Sequence, residues 1–277
     1  MSTLVPFLPH TWFLSLLFIY GLIIGSFLNV VIYRFHTGKS LSGSSHCLSC
    51  ATPLRPYELL PLISYLILKG RCRSCGSLIP VRYFLVELMT AALFVLAGLT
   101  ALTVPELFYL LLVLSILVII IIYDIRHYII PDILTVALIV ISGSWLAWQW
   151  WQGVAVSILI TTLIGALLGS GFFFALWFIS KGQWLGFGDV KLAFPLGLMV
   201  GGPLAFSMVV YSFWVGAVVS LIIVGLGKLQ RGQLRLHLGL TNLTIKSVVP
   251  FAPFLIAGCL IALFTHVDVL SLFTFAQ

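Results

Sequence analysis

Residues 106–123 read ELFYLLLVLSILVIIIIY, and this apolar run is followed at once by the carboxylate of Asp124. About 18 consecutive apolar residues are enough for a helix to cross the hydrocarbon core of a bilayer. Similar runs recur with short polar interruptions over residues 12–33, 83–100, 133–151, 155–180, 191–202, 204–226 and 250–267. The sequence therefore predicts an all-α polytopic membrane protein with about eight transmembrane helices.

The run 191–202 is short and meets the next run at Gly201-Gly202-Pro203, so the pair forms either a tight hairpin or one broken helix.

Residues 1–11 contain no Lys or Arg, so the first run lacks the charged region of a cleaved secretory signal. We expect the first helix to be retained.

The composition excludes an ordinary soluble protein. Of 277 residues, 61% are hydrophobic and only 8% are charged, with a mean hydropathy of +1.21. A soluble core cannot bury this much apolar surface, so most of it must face lipid.

The net charge of +7 reflects membrane topology and does not indicate a nucleic-acid partner. Half of the basic residues lie between Arg34 and Arg82, and the others fall in alternate later loops, at Arg126, Lys181, Lys191, Lys228, Arg231, Arg235 and Lys246. The positive-inside rule makes these loops cytosolic and places both termini outside. Basic loops at this position also contact anionic membrane lipids.

Residues 34–82 form a polar insertion after the first helix, with Cys47-Leu-Ser-Cys50 and Cys72-Arg-Ser-Cys75. Two CxxC knuckles about twenty residues apart are typical of a structural zinc site with four thiolate ligands. Redox or disulfide cysteines are the alternative, although a cytosolic loop disfavours disulfides. The predicted domains are the first helix (1–33), the zinc-binding insertion (34–82) and a transmembrane core (83–277).

Two carboxylates are predicted at the same membrane level. Asp124 ends one helix, and Asp189 begins another in Gly186-Phe-Gly-Asp189. Two neighbouring carboxylates that share one proton form an aspartyl protease dyad, in which one activates water and the other protonates the scissile carbonyl. An alternative is that both are ordinary interface residues paired with Arg126 and Lys191. Spacing alone leaves both interpretations open.

Several segments, in order, resemble the type IV prepilin peptidases, a family of GxGD intramembrane aspartyl proteases. They are Gly25-Ser-Phe-Leu-Asn29-Val-Val-Ile-Tyr-Arg34, the two knuckles, the stretch from Glu58 to Leu66, Arg82-Tyr-Phe-Leu-Val-Glu87, Asp124 through Ile130-Pro131-Asp132, Gly186-Phe-Gly-Asp189-Val-Lys-Leu and Pro250-Phe-Ala-Pro253-Phe. The chain departs from the family pattern at Ala252, where Gly is usual, and at Leu48, where Pro is common.

The resemblance implies that Asp124 and Asp189 are the catalytic pair, and that the substrates are prepilins and secretion pseudopilins, cleaved at the cytosolic face of the bacterial inner membrane. It implies periplasmic termini and structural zinc on Cys47, Cys50, Cys72 and Cys75. Many members also methylate the new N-terminal residue from S-adenosylmethionine. The four cysteines point to this second activity, but the sequence has no glycine-rich methyltransferase fingerprint that would locate the methyl donor.

Two polar residues in predicted helices have open roles. Glu87 either contacts the substrate amine or supports methyl transfer, although pairing with Arg82 is the simpler account. Asn29 is expected to form an interhelical hydrogen bond.

Three other functions compete with this interpretation. One is a proton-coupled transporter that uses both aspartates as relays, but transporter sites usually lie near the bilayer midplane within internal repeats. A second is a peptidase without methyltransferase activity, and a third is an inactive assembly scaffold.

Overall fold

The protein is described by a computed structural model covering residues 10–35, 40, 43–229 and 250–274. This part of the chain is helical and has no β-strand beyond two isolated bridges. Its helices are α1 His10–Arg34, α2 Ile63–Ile67, α3 Arg82–Thr100, α4 Val104–His127, α5 Asp132–Trp151, α6 Val156–Ile179, α7 Phe187–Val200, α8 Gly202–Leu229, α9 Ala252–Thr265 and α10 Val269–Thr274. Lys39, Arg231, Arg235, Lys246 and both termini, which enter the topology prediction, lie outside the described residues.

Each of the eight predicted apolar runs forms a helix, but they differ in length. Six of them, α1, α3, α4, α5, α6 and α8, are long and apolar enough to cross a membrane. The helices α7 and α9 have 14 residues each, or about 21 Å at 1.5 Å per residue, against a hydrocarbon core of about 30 Å. The prediction of about eight helices is confirmed, with the correction that α7 and α9 are shorter than a full span.

The junction between α7 and α8 is a sharp break. Gly201 separates the helices with φ of +83°, a backbone conformation that side chains other than glycine rarely adopt. The two predicted runs are therefore separate helices and not one broken helix.

The chain divides into two compact units, residues 1–122 and residues 123–277. In the first unit, α1 packs against α3 at very short range. A Cβ atom at Gly21 would lie 2.6 Å from Cα of Ala91, and one at Gly25 would lie 2.7 Å from Cα of Glu87. Without side chains at these two positions the helix backbones can approach closely, as the Gly-xxx-Gly spacing predicts.

In the second unit, α7 is the central helix. It packs against α5, α6, α8 and α9, and most of its residues are buried. The contact with α6 is again made by a glycine, since a Cβ atom at Gly197 would lie 2.6 Å from Cα of Ala166. The first turn of this buried helix carries Asp189.

We predict that alanine lowers the stability of the protein at Gly21 but not at Gly171. Gly21→Ala places a methyl group against the backbone of Ala91 and should lower stability by about 1–3 kcal/mol. Gly171→Ala is the matched control, because a Cβ atom there meets nothing within 4 Å in this structure. The control should leave stability unchanged or raise it slightly, since Ala is the better helix former.

Thermal unfolding of the purified protein in one detergent measures both effects. Equal melting temperatures for the two variants would contradict the close α1–α3 contact.

Candidate active site and metal centre

The two CxxC knuckles have the same backbone fold. In the first, the N–H of Cys47 donates to the carbonyl of Thr52 (2.9 Å) and the N–H of Ala51 donates to the carbonyl of Cys47 (3.0 Å). In the second, Cys72 donates to Ser77 (2.8 Å) and Gly76 donates to Cys72 (2.9 Å). Ala51 and Gly76, each directly after the second cysteine, both have positive φ. This turn aims the two sulfurs of a knuckle in the same direction.

The four sulfurs converge on one point. The Sγ atoms of Cys47, Cys50, Cys72 and Cys75 all lie within 4.8 Å of one another, which confirms the predicted cluster. The Sγ atoms of Cys47 and Cys75, which belong to different knuckles, are 3.9 Å apart. Zn–S bonds of 2.3 Å in a tetrahedron separate sulfurs by about 3.8 Å, whereas a disulfide requires about 2.05 Å. The donor set therefore fits zinc better than two disulfides.

Polar groups favour the thiolate form at two of the four cysteines. Backbone N–H groups of Cys50 and Ser49 lower the pKa of the Cys47 thiol to about 6. The hydroxyl of Ser77 lowers the pKa of Cys75, whereas burial and the neighbouring sulfurs of Cys47 and Cys75 raise the pKa of Cys72. Because the thiolate is the form that binds metal, Cys47 and Cys75 are the two ligands whose surroundings favour a cation.

Asp189 is positioned by the start of α7. Gly186 is the residue before the first helical turn, and Asp189 is the third residue of that turn. Its carboxylate accepts a hydrogen bond from the backbone N–H of Gly186. This contact is one half of a capping box, which satisfies an otherwise unpaired N–H at the helix start. The GxGD spacing thus fixes where this carboxylate points.

Gly188 lies against the segment that precedes α5. A Cβ atom at Gly188 would lie 3.2 Å from the side chain of Ile130, which is buried. Gly188 therefore allows the start of α7 to pack closely on the segment before α5.

The carboxylate of Asp124 is positioned by a backbone group at the start of α9. Its carboxylate accepts a hydrogen bond from the backbone N–H of Ala252 at the start of α9. The neighbouring Phe251 packs against both Phe173 and Phe213, with ring centroids 5.7 and 5.5 Å away. This aromatic cluster fixes the Pro250–Pro253 segment, and Ala252 supplies only its backbone. Ala252 stands where glycine is usual in the family, and it therefore leaves the hydrogen bond to Asp124 intact.

Asp124 and Asp189 are brought together. Their side chains are 5% and 7% exposed, and the two carboxylates interact electrostatically. Among the described residues, Oδ2 of Asp124 is one of two buried side-chain oxygens without a hydrogen-bond partner, the other being Oγ1 of Thr135. An unpartnered carboxylate oxygen is costly in a buried site and is a suitable place for a water or a substrate group.

The alternative interpretation, in which Asp124 and Asp189 pair with Arg126 and Lys191, is wrong. Lys191 binds the carboxylate of Asp132 at the start of α5 instead of Asp189. Asp124 is not within ion-pair distance of Arg126, and neither residue belongs to an ion pair in the described part of the chain. Asp132 therefore has a structural role as the partner of Lys191, while neither predicted catalytic carboxylate is paired with a cation of the described residues.

Glu87 and Asn29 lie on facing helices of the first unit. Pairing of Glu87 with Arg82 is not observed, because the Arg82 guanidinium lies over the ring of Tyr83. Oε2 of Glu87 accepts a hydrogen bond from the N–H of Leu62 (2.8 Å), and Ser26 also donates to this carboxylate. Asn29 donates to the carbonyl of Tyr83 (3.1 Å), the interhelical bond that was expected.

Three of these groups had no predicted role, namely the backbone N–H groups of Ala252 and Leu62 and the hydroxyl of Ser26. Backbone donors have no residue signature. The only signal for the Pro250–Pro253 segment is its resemblance to a family motif.

Two family models match the chain. Residues 19–101 match the bacterial peptidase A24 N-terminal domain, and residues 111–221 match the type IV leader peptidase family. The first match contains the cysteine cluster and Glu87, and the second contains Asp124 and Asp189. No solved structure matches the chain.

Three curated relatives carry the name prepilin leader peptidase/N-methyltransferase. The Bacillus subtilis protein is 33% identical, over 90% of this chain and 93% of its own length. The Klebsiella pneumoniae protein is 37% identical over 70% and 87%. The Aeromonas salmonicida protein is 30% identical over 91% and 90%. Since these matches extend over nearly all of each relative, the chain belongs to the type IV leader peptidase family.

Proposed function

We propose that this protein cleaves the leader peptide from prepilins and pseudopilins and then methylates the new N-terminal residue, using S-adenosylmethionine. The observation that carries the peptidase activity is the electrostatic interaction between two buried carboxylates, Asp124 and Asp189, neither of which forms an ion pair with any described residue. The names of the relatives support both activities. Family membership removes the basis for the transporter and scaffold interpretations.

The proposed cleavage uses the two aspartates as one acid–base pair. Like charges this close do not both ionise readily, so one carboxyl keeps a proton. The ionised carboxylate takes a proton from water as its oxygen bonds to the scissile carbonyl carbon, while the other carboxyl protonates the carbonyl oxygen. The tetrahedral intermediate then breaks its C–N bond. The leaving nitrogen takes up a proton from the dyad and becomes the new N-terminal amine.

In the proposed methylation, the lone pair of this amine forms a bond to the methyl carbon of S-adenosylmethionine. The methyl–sulfur bond breaks with its electrons going to sulfur, and the nitrogen loses one proton. The cationic sulfonium supplies the leaving group, so the protein has to bind, orient and desolvate the two reactants.

We place this chemistry at the cytosolic face of the bacterial inner membrane, with both termini periplasmic. The basic residues of the insertion support this orientation. Zinc on the four thiolates has a structural role, because an insertion of this size has too little apolar core to fold unaided.

The catalytic dyad is tested by three aspartate variants. Asp124→Asn and Asp189→Asn should each lower the rate of leader cleavage by about 100-fold or more, since each removes an acid–base group. Asp132→Asn is the matched control and removes only an exposed carboxylate paired with Lys191. It should keep activity within a few-fold of wild type.

Cleavage is measured with a prepilin substrate and the protein in liposomes. Wild-type rates in either dyad variant would refute the assignment, as would equal losses in all three.

The second activity is tested on the product. Mass spectrometry of the mature pilin should show one added methyl group at the N-terminal nitrogen when S-adenosylmethionine is present and none when it is omitted. A cleaved but unmethylated product in the presence of the donor would show that this chain is a peptidase alone.

The metal centre is tested by elemental analysis. The wild type should contain about one zinc per chain, and Cys50→Ser should lose it because tetrahedral closure requires four ligands. Cys259→Ala is the control, since this thiol is buried near the carbonyl of Leu196 and is not a member of the four-cysteine cluster.

Zinc binding should also weaken as the pH falls, because protons compete with the metal for the four thiolates. Zinc retention by Cys50→Ser, or its loss from Cys259→Ala, would contradict the assigned ligands.

A further inference from the structure

The cysteine insertion contains one apolar stretch, residues 59–68, which reads LLPLISYLIL and lies between the two knuckles. An apolar stretch of this length is too short to cross a bilayer and is typical of either a buried core element or an interfacial segment. A buried core element is excluded, because every residue of the 3₁₀ turn Pro56–Leu59 and of α2 is exposed or half-buried. The stretch therefore needs an apolar surrounding that the insertion does not supply.

Five large aliphatic side chains of this stretch are strongly exposed. Their exposed fractions range from 41% to 74%, at Leu59, Leu60, Ile63, Leu66 and Ile67. A contiguous apolar surface of this kind marks a site of contact with a protein or with a membrane.

Contacts with α3 place the stretch at the depth of a membrane interface. Oε2 of Glu87 accepts a hydrogen bond from the N–H of Leu62 (2.8 Å), and the ring of Tyr65 lies 5.5 Å from that of Phe84. Glu87 is five residues beyond Arg82, where the candidate spanning helix α3 begins. Five residues correspond to about 7.5 Å along the helix axis, and interfacial segments bury their apolar face by about 5–10 Å. The stretch is thus held beside the first turns of a spanning helix, where lipid is available.

Basic residues border the stretch on both sides. Arg55 precedes it, Lys69 and Arg71 follow it, and all three are exposed. Tyr57 is 46% exposed, and its hydroxyl accepts a hydrogen bond from the Arg55 guanidinium (3.1 Å). Basic residues beside an apolar segment bind the phosphates of anionic lipids, and tyrosine is enriched at the membrane–water interface. These charges favour a bilayer surface over the uncharged helix of another protein.

We propose that residues 59–68 form an interfacial anchor. The anchor inserts its five exposed aliphatic side chains into the acyl-chain boundary of the adjacent leaflet and places the bordering basic residues at anionic headgroups. The insertion is then attached to the membrane between its knuckles as well as at its two ends, which keeps the cysteine cluster at the membrane surface. This attachment depends on neither of the two proposed activities.

The anchor is tested with a photoreactive residue. p-Benzoylphenylalanine replaces Ile67 in one variant and Tyr65 in the other, in the full-length protein in nanodiscs of equal parts phosphatidylglycerol and phosphatidylcholine. Tyr65 is the matched control, because it belongs to the same short helix but packs its ring against Phe84. After irradiation, with and without an added prepilin, mass spectrometry identifies the adducts.

We expect lipid adducts to be at least about fivefold more abundant from position 67 than from position 65, where the probe should react with α3. The adducts from position 67 should contain about twofold more phosphatidylglycerol than phosphatidylcholine, because basic residues border the anchor.

Three results would overturn the proposal. Equal lipid yields from the two positions would show that the exposed apolar side chains are not the ones in the membrane. Adducts from position 67 to a second copy of the chain, or to the prepilin, would make a protein the occupant of this surface. Adducts in the proportion of the lipids supplied would refute the role of the basic residues.

A second measurement uses the wild-type chain. Phosphatidylglycerol with a diazirine in its acyl chain, activated by light, should label the peptide of residues 59–68 at least about threefold more than that of residues 43–54, which contains the first knuckle. Equal labelling of the two peptides, or none on residues 59–68, would refute the anchor without any substitution.

Discussion

The close packing of α7 against its neighbours is the constraint on which the candidate active site depends. Most of this helix is buried, and it can approach α6 this closely because Gly197 has no side chain. The absence of a side chain at Gly188 also lets its first turn pack tightly on Ile130, in the segment before α5. Asp189 stands in that turn, so the position of one carboxylate is fixed by backbone contacts and not by a flexible loop. A site built on rigid elements holds reacting groups more precisely than a loop does.

The proposed chemistry falls into two parts of the chain. The aspartate pair belongs to residues 123–277, while the cysteine cluster and Glu87 belong to residues 1–122. Among the described residues, Lys191 is bound to Asp132 and to neither aspartate of the candidate pair. The two parts of the chain therefore present different chemical groups, a pair of buried carboxylates in one and a cluster of thiols in the other.

Much of the fold could be predicted from the sequence, because a helix that crosses lipid needs a long apolar run. Apolar runs located the helices, and the CxxC spacing located the four cysteines, since each ligand carries its own side-chain signature. The lengths of α7 and α9 could not be predicted in the same way, because helix ends depend on local backbone geometry such as that of Gly201. Contacts made through a backbone N–H, from Ala252 to Asp124 and from Leu62 to Glu87, also leave no mark in the sequence. The Arg82–Glu87 prediction failed because sequence proximity does not reveal that Arg82 lies over Tyr83.

The most direct test of the central claim is whether Asp124 and Asp189 act as one unit. Leader cleavage should be measured for both single asparagine variants and for the double variant under identical conditions. If the two carboxylates share one catalytic task, the double variant should be no slower than the slower single variant, because either loss already disables the pair. If the losses in the double variant multiply, the two aspartates act independently and the account of a shared dyad is wrong.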